Sequence, residues 1–220
     1  SSIDGRFLAD VDTLLALDAA HLGRALAVQD GLAVLGVPGA TLDDADWPND
    51  TQAPDGTDTM IDPLAGGVIV LEHFGSGWGM QSVITLPETE INPAHDIFRD
   101  RAWWRLGASV AVSGTTIAVG APHAAVRQGG APLPESGAVV ILRKDSTGWV
   151  ARHVLTGLDL DPNIWPWGPR SLDYFGTSLA LDKDLLAVGV PNAEPGDEPI
   201  ASDRGVVHLF QRSHGTWTHV

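Results

Sequence analysis

Aspartates dominate the stretch between Gly39 and Gly66, and their carboxylates are the groups in the chain best suited to bind a metal ion. Calcium takes about six to eight oxygen ligands, and the first four of these side chains could converge if the loop folds back on itself. Their spacing differs from that of a known calcium loop, so a solvated acidic loop that uses Asp and Pro as turn formers is the competing interpretation. The candidate metal ligands are Asp43, Asp44, Asp46, Asp50, Asp55, Asp58 and Asp62.

Aromatic side chains in this loop and in the other long connections could contact a ligand. Exposed Trp rings beside carboxylates stack on the faces of sugars, and they also anchor protein interfaces. The competing interpretation is that these rings fill gaps between structural units. The predicted ligand-binding residues, which include polar side chains of the same connections, are Trp47, His95, Trp103, Trp104, His123, Trp165, Trp167 and Asn192.

No short motif of a known catalytic or cofactor site occurs in the sequence. The nucleophile elbow, the HExxH zinc motif, the phosphate-binding loop and the dinucleotide fingerprint are all absent. Cysteine is absent as well, which excludes thiolate metal sites and cysteine nucleophiles. The histidines are scattered without a metal-ligand spacing. The sequence therefore predicts no catalytic residue and no certain cofactor, with calcium as the one candidate ion.

The composition restricts the partners that the chain can bind. The 220 residues carry a net charge of −15 and only 13 Lys and Arg, which argues against nucleic acid because phosphate binding needs clustered cations. No apolar stretch approaches the roughly 20 residues of a membrane span. The 25 Gly and 15 Pro are dispersed along the chain, as expected of many short strands joined by turns.

The elements that must position the candidate residues repeat three times along the chain. An apolar run that contains Leu-Gly or Phe-Gly opens each copy, at residues 22–28, 106–112 and 175–181. A second apolar run ends at a proline, at residues 32–38, 117–122 and 186–191. A third run begins at a glycine, and a Trp opens a fourth run 11, 12 and 12 residues later; these pairs are Gly67 and Trp78, Gly137 and Trp149, and Gly205 and Trp217.

Four short strands in each copy predict an all-β chain of β-propeller blades, each made of four antiparallel strands. The blades are predicted at residues 22–86, 106–155 and 175–220, the last with a truncated outer strand, and residues 7–17 are predicted to be the outer strand of a preceding blade. On local propensity, residues 8–28 favour an amphipathic helix. The repeat overrules this preference, because residues 22–28 align with two segments of stronger strand character.

The landmarks in residues 175–181 and 188–191, together with Gly120, Ala121 and Pro122, resemble the FG-GAP repeat, the blade unit of integrin α-subunit propellers and of many bacterial surface proteins. The resemblance covers residues 7–220 and implies a cell-surface, extracellular or periplasmic adhesion-type protein. The turns between the first two strands hold only two or three residues, with Asp182 and Asp184 as the only carboxylates of the third turn. The chain is therefore closer to the bacterial variant, and the family's calcium sites are not expected at these turns.

Three blades cannot close a ring, so the sequence predicts further blades from a second copy or from another segment. The long connections are expected on one face of the blades, which predicts the binding surface there. The leading hypothesis is a non-enzymatic recognition module that presents acidic, Trp-containing loops to a protein or glycan. The alternatives are a metal-assisted hydrolase or lyase that uses carboxylates of this face, and a structural subunit of a larger assembly.

Overall fold

The chain folds into antiparallel β-sheets, and the predicted all-β fold is confirmed. A computed structural model describes residues 21–40, 42–43, 61–62, 65–75, 77–85, 104–196 and 204–220. No α-helix occurs among them, and therefore none that could cross a membrane. Three sheets within these ranges have four strands each. Within each sheet, the four strands lie side by side in the order in which they occur along the chain. Two further ladders have two strands each.

Apolar alternating runs and tight turns form the first sheet and its connection. The two-residue ladder β3–β4 lies between the second and third strands of the sheet. The strands are β1 (Leu26–Gln29), β2 (Leu32–Gly36), β3 (Leu42–Asp43), β4 (Ile61–Asp62), β5 (Val68–Phe74) and β6 (Gly77–Ile84). The first of these, β1, is thus a strand, in agreement with the repeat and against the local helix propensity.

The second and third sheets repeat the same strand order. In the second sheet a short ladder again lies between the second and third strands, and a 3-10 helix at Gly157–Asp159 follows the fourth strand. The remaining strands are β7 (Ser109–Ser113), β8 (Thr116–Ala121), β9 (Val126–Gln128), β10 (Ala131–Leu133), β11 (Ala138–Asp145), β12 (Gly148–Thr156), β13 (Ser178–Asp182), β14 (Leu185–Val190), β15 (Val206–Ser213) and β16 (Thr216–His219).

Strand register corrects one position of the sequence alignment. Gly36 pairs with Val68, Gly120 with Val139, and Gly189 with Val207. The glycine two positions before each valine is therefore the equivalent residue, so Gly66 rather than Gly67 matches Gly137 and Gly205. All three have positive φ angles, of 82°, 87° and 67°, a conformation that favours glycine. With this register, each glycine precedes its Trp by 12 residues.

The same contacts join the first sheet to the second and the second to the third. Isolated parallel bridges link Gly66 to Leu106 and Gly137 to Phe175. The N–H of Leu106 donates to the carbonyl of Ala65 at 3.0 Å, and that of Phe175 donates to Ser136 at 2.9 Å. Leu106 and Phe175 are 2% and 1% exposed, so each closes the core of one junction. Equal contacts at both junctions show that the three sheets follow one another in the same relative arrangement.

Apolar side chains are left exposed on the outer faces of the first and third sheets. Val68 and Val139 are 1% and 0% exposed at the two junctions, whereas the equivalent Val207 is 66% exposed. Leu26 is likewise 66% exposed, against 9% for the equivalent Val110. These outer faces therefore have the composition of the buried junctions. The division at 22–86, 106–155 and 175–220 stays a prediction, and residues 7–17 lie outside the described ranges.

Candidate functional site

All three sheets contribute residues to one pocket of about 330 Å³, which we call the shared pocket. It lies where the second strand of each sheet ends and the first strand begins, on the face predicted to carry the long connections. Nine of its lining residues are three sets of equivalent positions: His21, Arg105 and Tyr174; Arg24, Ala108 and Thr177; and Pro38, Pro122 and Pro191. Gly39 and His123 complete the lining.

A tight turn in each sheet positions the first two sets. The N–H of Arg24, Ala108 and Thr177 donates to the carbonyl three residues earlier, at 3.0 to 3.2 Å. The residue that accepts this bond is His21, Arg105 or Tyr174, and its φ is 54°, 54° or 56°. Residues other than glycine rarely adopt a positive φ angle, and such strained backbone positions are concentrated at functional sites. Arg105 and Tyr174 directly precede the buried Leu106 and Phe175, which anchor their turns in the protein core, whereas His21 precedes Leu22, which is 38% exposed.

His123 and Tyr174, which both line the pocket, are joined in a hydrogen-bonded network by Glu135, which lies behind them and is not part of the lining. Nδ1 of His123 lies 2.9 Å from Oε1 of Glu135, and the hydroxyl of Tyr174 donates to Oε2 at 2.9 Å. The backbone N–H of Tyr174 also donates to the carbonyl of Glu135 at 3.1 Å. The hydrogen bond from His123, followed by that from Tyr174 and the charge of Arg105, holds the pKa of Glu135 below its ordinary value. Glu135 is thus an ionised acceptor with both oxygens engaged.

We expect this network to control the ionisation of Tyr174, the only tyrosine in the chain. Its pKa is raised above the ordinary value because its hydroxyl donates to Glu135 and because that carboxylate is negatively charged. Glu135→Gln removes the charge, so the pKa of Tyr174 should fall in a titration followed by tyrosinate absorbance. Glu72→Gln is the control, because Glu72 pairs with Lys144 elsewhere on the molecule. Equal tyrosine titrations in Glu135→Gln and the unmodified chain would contradict the network.

The pocket is cationic although the chain as a whole is acidic. Arg24 is exposed and Arg105 half-buried, and neither forms an ion pair with another described residue. Three cations elsewhere do have acidic partners: Lys144 pairs with Glu72 at 3.0 Å, Arg152 with Asp145 at 2.5 Å, and Arg212 with Asp184. The acidic character predicted for this face therefore does not extend to the shared pocket.

The predicted ligand-binding residues do not come together at one site. His123 lines the shared pocket, and Asn192 directly follows its Pro191. Trp104 is only 5% exposed and belongs to the core between the first and second sheets, so its ring is not available to a ligand. Trp47, His95 and Trp103 lie outside the described residues.

Trp165 and Trp167 contact one another with ring centroids 4.8 Å apart. Trp165 also packs edge-on against His208 at 4.9 Å, and its Nε1 donates to the carbonyl of Gly168 at 3.2 Å. Both rings are partly buried, and Trp165 packs against the core at the second junction. The arrangement corresponds to the competing interpretation of the sequence, in which these rings fill a gap between structural units.

Only the two ends of the candidate metal loop fall within the described ranges. Backbone pairing places Asp43 opposite Ile61 and Asp62 opposite Leu42, so the ends of the loop lie side by side. Asp44, Asp46, Asp50, Asp55 and Asp58 lie outside the described residues. Within the described ranges, no group of three or more His, Asp and Glu residues could hold a metal ion.

Sequence reasoning missed most of the pocket, although the repeat contained a signal for it. His21, Arg105 and Tyr174 directly precede the repeated Leu-Gly or Phe-Gly pair, and Arg24, Ala108 and Thr177 directly follow it. Positions that vary in chemistry on either side of a constant pair are candidates for a site built on a repeated scaffold. Glu135 gave no such signal, because its role depends on the contacts of its loop with Tyr174.

Comparison with models of known protein families found no match to the chain, and a search of curated proteins found none either. The resemblance to the FG-GAP repeat therefore stays a prediction from the sequence.

Proposed function

We propose that the chain is a non-enzymatic recognition module, built from consecutive propeller blades, that binds an extracellular protein or glycan at the shared pocket. The observation that carries the proposal is the lining of the pocket by equivalent positions of three sheets. The turn glycines and the prolines are constant among the copies, whereas the side chains beside them differ. A constant scaffold with variable side chains is typical of binding sites on repeat proteins.

The hydrogen bonding of the pocket favours binding over acid–base chemistry. Both oxygens of Glu135 accept hydrogen bonds from the protein, and its pKa is lowered rather than raised. A general acid at neutral pH needs a raised pKa. The carboxylate is better suited to hold the lining residues His123 and Tyr174 in place.

The outer faces support the assignment of the sheets as propeller blades. The outer face of the third sheet carries the exposed Val207, which is equivalent to two valines buried at the junctions, and the outer face of the first sheet carries the exposed Leu26. These are the two complementary halves of one junction. We infer that further blades cover them, from a second copy or from another segment, and that the assembly presents the shared pocket on its loop-bearing face.

Filling the pocket tests the binding function. The chain is screened against arrays of glycans and of secreted proteins, and the ligands bound by the unmodified chain are then tested with Ala108→Trp. We expect the large ring to occlude the pocket and to weaken binding by about tenfold or more, which corresponds to about 1.4 kcal/mol. Thr115→Trp is the control, because Thr115 lies in an exposed turn outside the pocket. Failure to bind any ligand, or equal binding by both variants, would refute the proposal.

A further inference from the structure

We propose that the shared pocket binds the carboxylate of a hydroxylated sugar acid, the chemistry of a hexuronate residue. The inference rests on the proposed binding function and specifies its ligand. Two features of the pocket carry it: arginines that form no ion pair with another described residue, and hydroxyl-bearing side chains in the same lining. Only a ligand that combines an anion with several hydroxyl groups uses both.

The arginines provide the site for the anion. Arg24 and Arg105 occupy different repeat positions on neighbouring sheets, and both line the pocket. Of the residues described, none forms an ion pair with either guanidinium. A guanidinium binds a carboxylate through two parallel hydrogen bonds, which is among the stronger polar interactions in proteins. A carboxylate placed between Arg24 and Arg105 would supply an ionic partner that none of the described residues provides.

Hydroxyl groups of the lining provide acceptors for the hydroxyl groups of a ligand. The hydroxyl of Tyr174 donates to Oε2 of Glu135 at 2.9 Å, which leaves its oxygen as an acceptor at the pocket. The hydroxyl of Thr177 donates to the carbonyl of Tyr174 at 2.7 Å, which leaves its oxygen as an acceptor. His123, a further residue of the lining, donates its Nδ1–H to Glu135, which holds the ring in place at the pocket. Inorganic anions and acidic peptide side chains lack the neighbouring hydroxyls that these groups would bind.

The size and the apolar part of the lining also fit a sugar. A volume of about 330 Å³ is at the lower end of the range for ligand pockets, about 300 to 1,000 Å³. It accommodates one or two sugar residues rather than an extended peptide. Pro38, Pro122 and Pro191, one from each sheet, line the pocket and offer apolar surface to the C–H face of a pyranose ring.

Calorimetric titration of the unmodified chain tests the inference. The five ligands are glucuronate, glucose, inorganic phosphate, a tetrasaccharide of galacturonate and a glutamate-rich peptide. We expect both uronates to bind and glucose to bind at least about tenfold more weakly, because glucose lacks the carboxylate. Tighter binding of the tetrasaccharide than of glucuronate would identify a polysaccharide as the source, and equal binding would identify a free sugar acid. If glucose binds as well as glucuronate, or if phosphate or the peptide binds more tightly, the inference is wrong.

Variants separate this inference from the proposed function. Arg24→Gln and Arg105→Gln should each weaken uronate binding about tenfold, since each removes a charge-assisted hydrogen bond to the carboxylate. Arg152→Gln is the control, because its guanidinium pairs with Asp145 away from the pocket. Melting temperatures check that each variant is folded. If Ala108→Trp abolishes binding of a ligand that both arginine variants retain, the pocket is a binding site but its ligand is not an acid.

Discussion

Gly107→Ala is expected to destabilise the protein by about 2 to 5 kcal/mol, the sum of backbone strain and overpacking. Gly107 has a φ of 88°, which alanine adopts only at a cost. A Cβ atom there would also overlap the carbonyl oxygen of Gly67 and lie 2.9 Å from the backbone nitrogen of Val37. Both atoms belong to the backbone of the first sheet and cannot rotate away. The two sheets would have to separate, which opens the core around Leu106.

The repeat supplies a matched control for this variant. Gly23 occupies the equivalent position in the first sheet, with a φ of 79°, but a Cβ atom there would have no atom within 4 Å. We therefore expect Gly23→Ala to incur only the strain, about 1 to 2 kcal/mol. Urea unfolding of both variants measures the difference. Equal losses of stability would show that the close approach of Gly107 to the first sheet is absent.

Gly23→Ala also tests whether the outer face of the first sheet is covered by another blade in solution. A covered Gly23 would have the environment of Gly107, and its replacement would then block assembly while the three sheets remain folded. Light scattering would report a lower mass for the variant than for the unmodified chain. An unchanged mass above that of the monomer would place the contact elsewhere.

The sequence predicted the sheets well because their signal is local and repeated. Apolar runs, tight turns and a Trp occur in each copy. Together they predicted a strand at Leu26, although the local propensity of residues 8–28 favours a helix. The misalignment of Gly67 had a physical cause: two adjacent glycines offer equal sequence evidence, and only strand register and the positive φ of Gly66 distinguish them.

The candidate site was less predictable, because its residues are distant in sequence and its charge is local. Net charge and the many aspartates favoured an acidic binding surface, yet Arg24 and Arg105 meet at the pocket because their sheets are neighbours. Trp104 illustrates the converse error. Its position in a long connection suggested exposure, whereas it lies two residues before the buried Leu106 and belongs to the core of the first junction.

The second large effect that we expect is a loss of stability as the pH falls from about 6.5 to about 4, caused by the buried pair His208 and His219. Nδ1 of His208 lies 3.1 Å from Nε2 of His219, whose Nδ1 accepts a hydrogen bond from the backbone N–H of Asp161 at 3.1 Å. His219 must therefore carry its proton on Nε2 and donate it to His208. This arrangement requires both rings to be neutral.

The pKa of His208 is lowered from 6.5 to about 4, first by burial and then by the charge of His219. Burial also lowers the pKa of His219, against the opposing effect of the Asp161 carboxylate. Between these pH values the unfolded chain binds more protons than the folded protein, so the free energy of unfolding decreases as the pH falls. The full shift of His208 corresponds to about 3 kcal/mol, and protons enter the two rings as a coupled pair.

His208→Val isolates this effect, because the equivalent residues of the other sheets are the aliphatic Ile69 and Val140. We expect the variant to lose less stability than the unmodified chain between pH 6.5 and 4 in urea unfolding. The lowered pKa of Asp161 and the raised pKa of the buried Asp173 act on both proteins and cancel in the comparison.

His214→Gln, which replaces an exposed histidine, should retain the pH dependence of the unmodified chain. The same dependence on pH in His208→Val would show that the buried pair does not control acid stability. If the stability of His208→Val depends less on pH, the loss of stability of the unmodified chain at low pH is caused by protonation of the His208 and His219 rings at the second junction. That junction holds the third sheet, and with it the Tyr174 and Thr177 side of the shared pocket, so ligand binding should weaken over the same pH range as the fold.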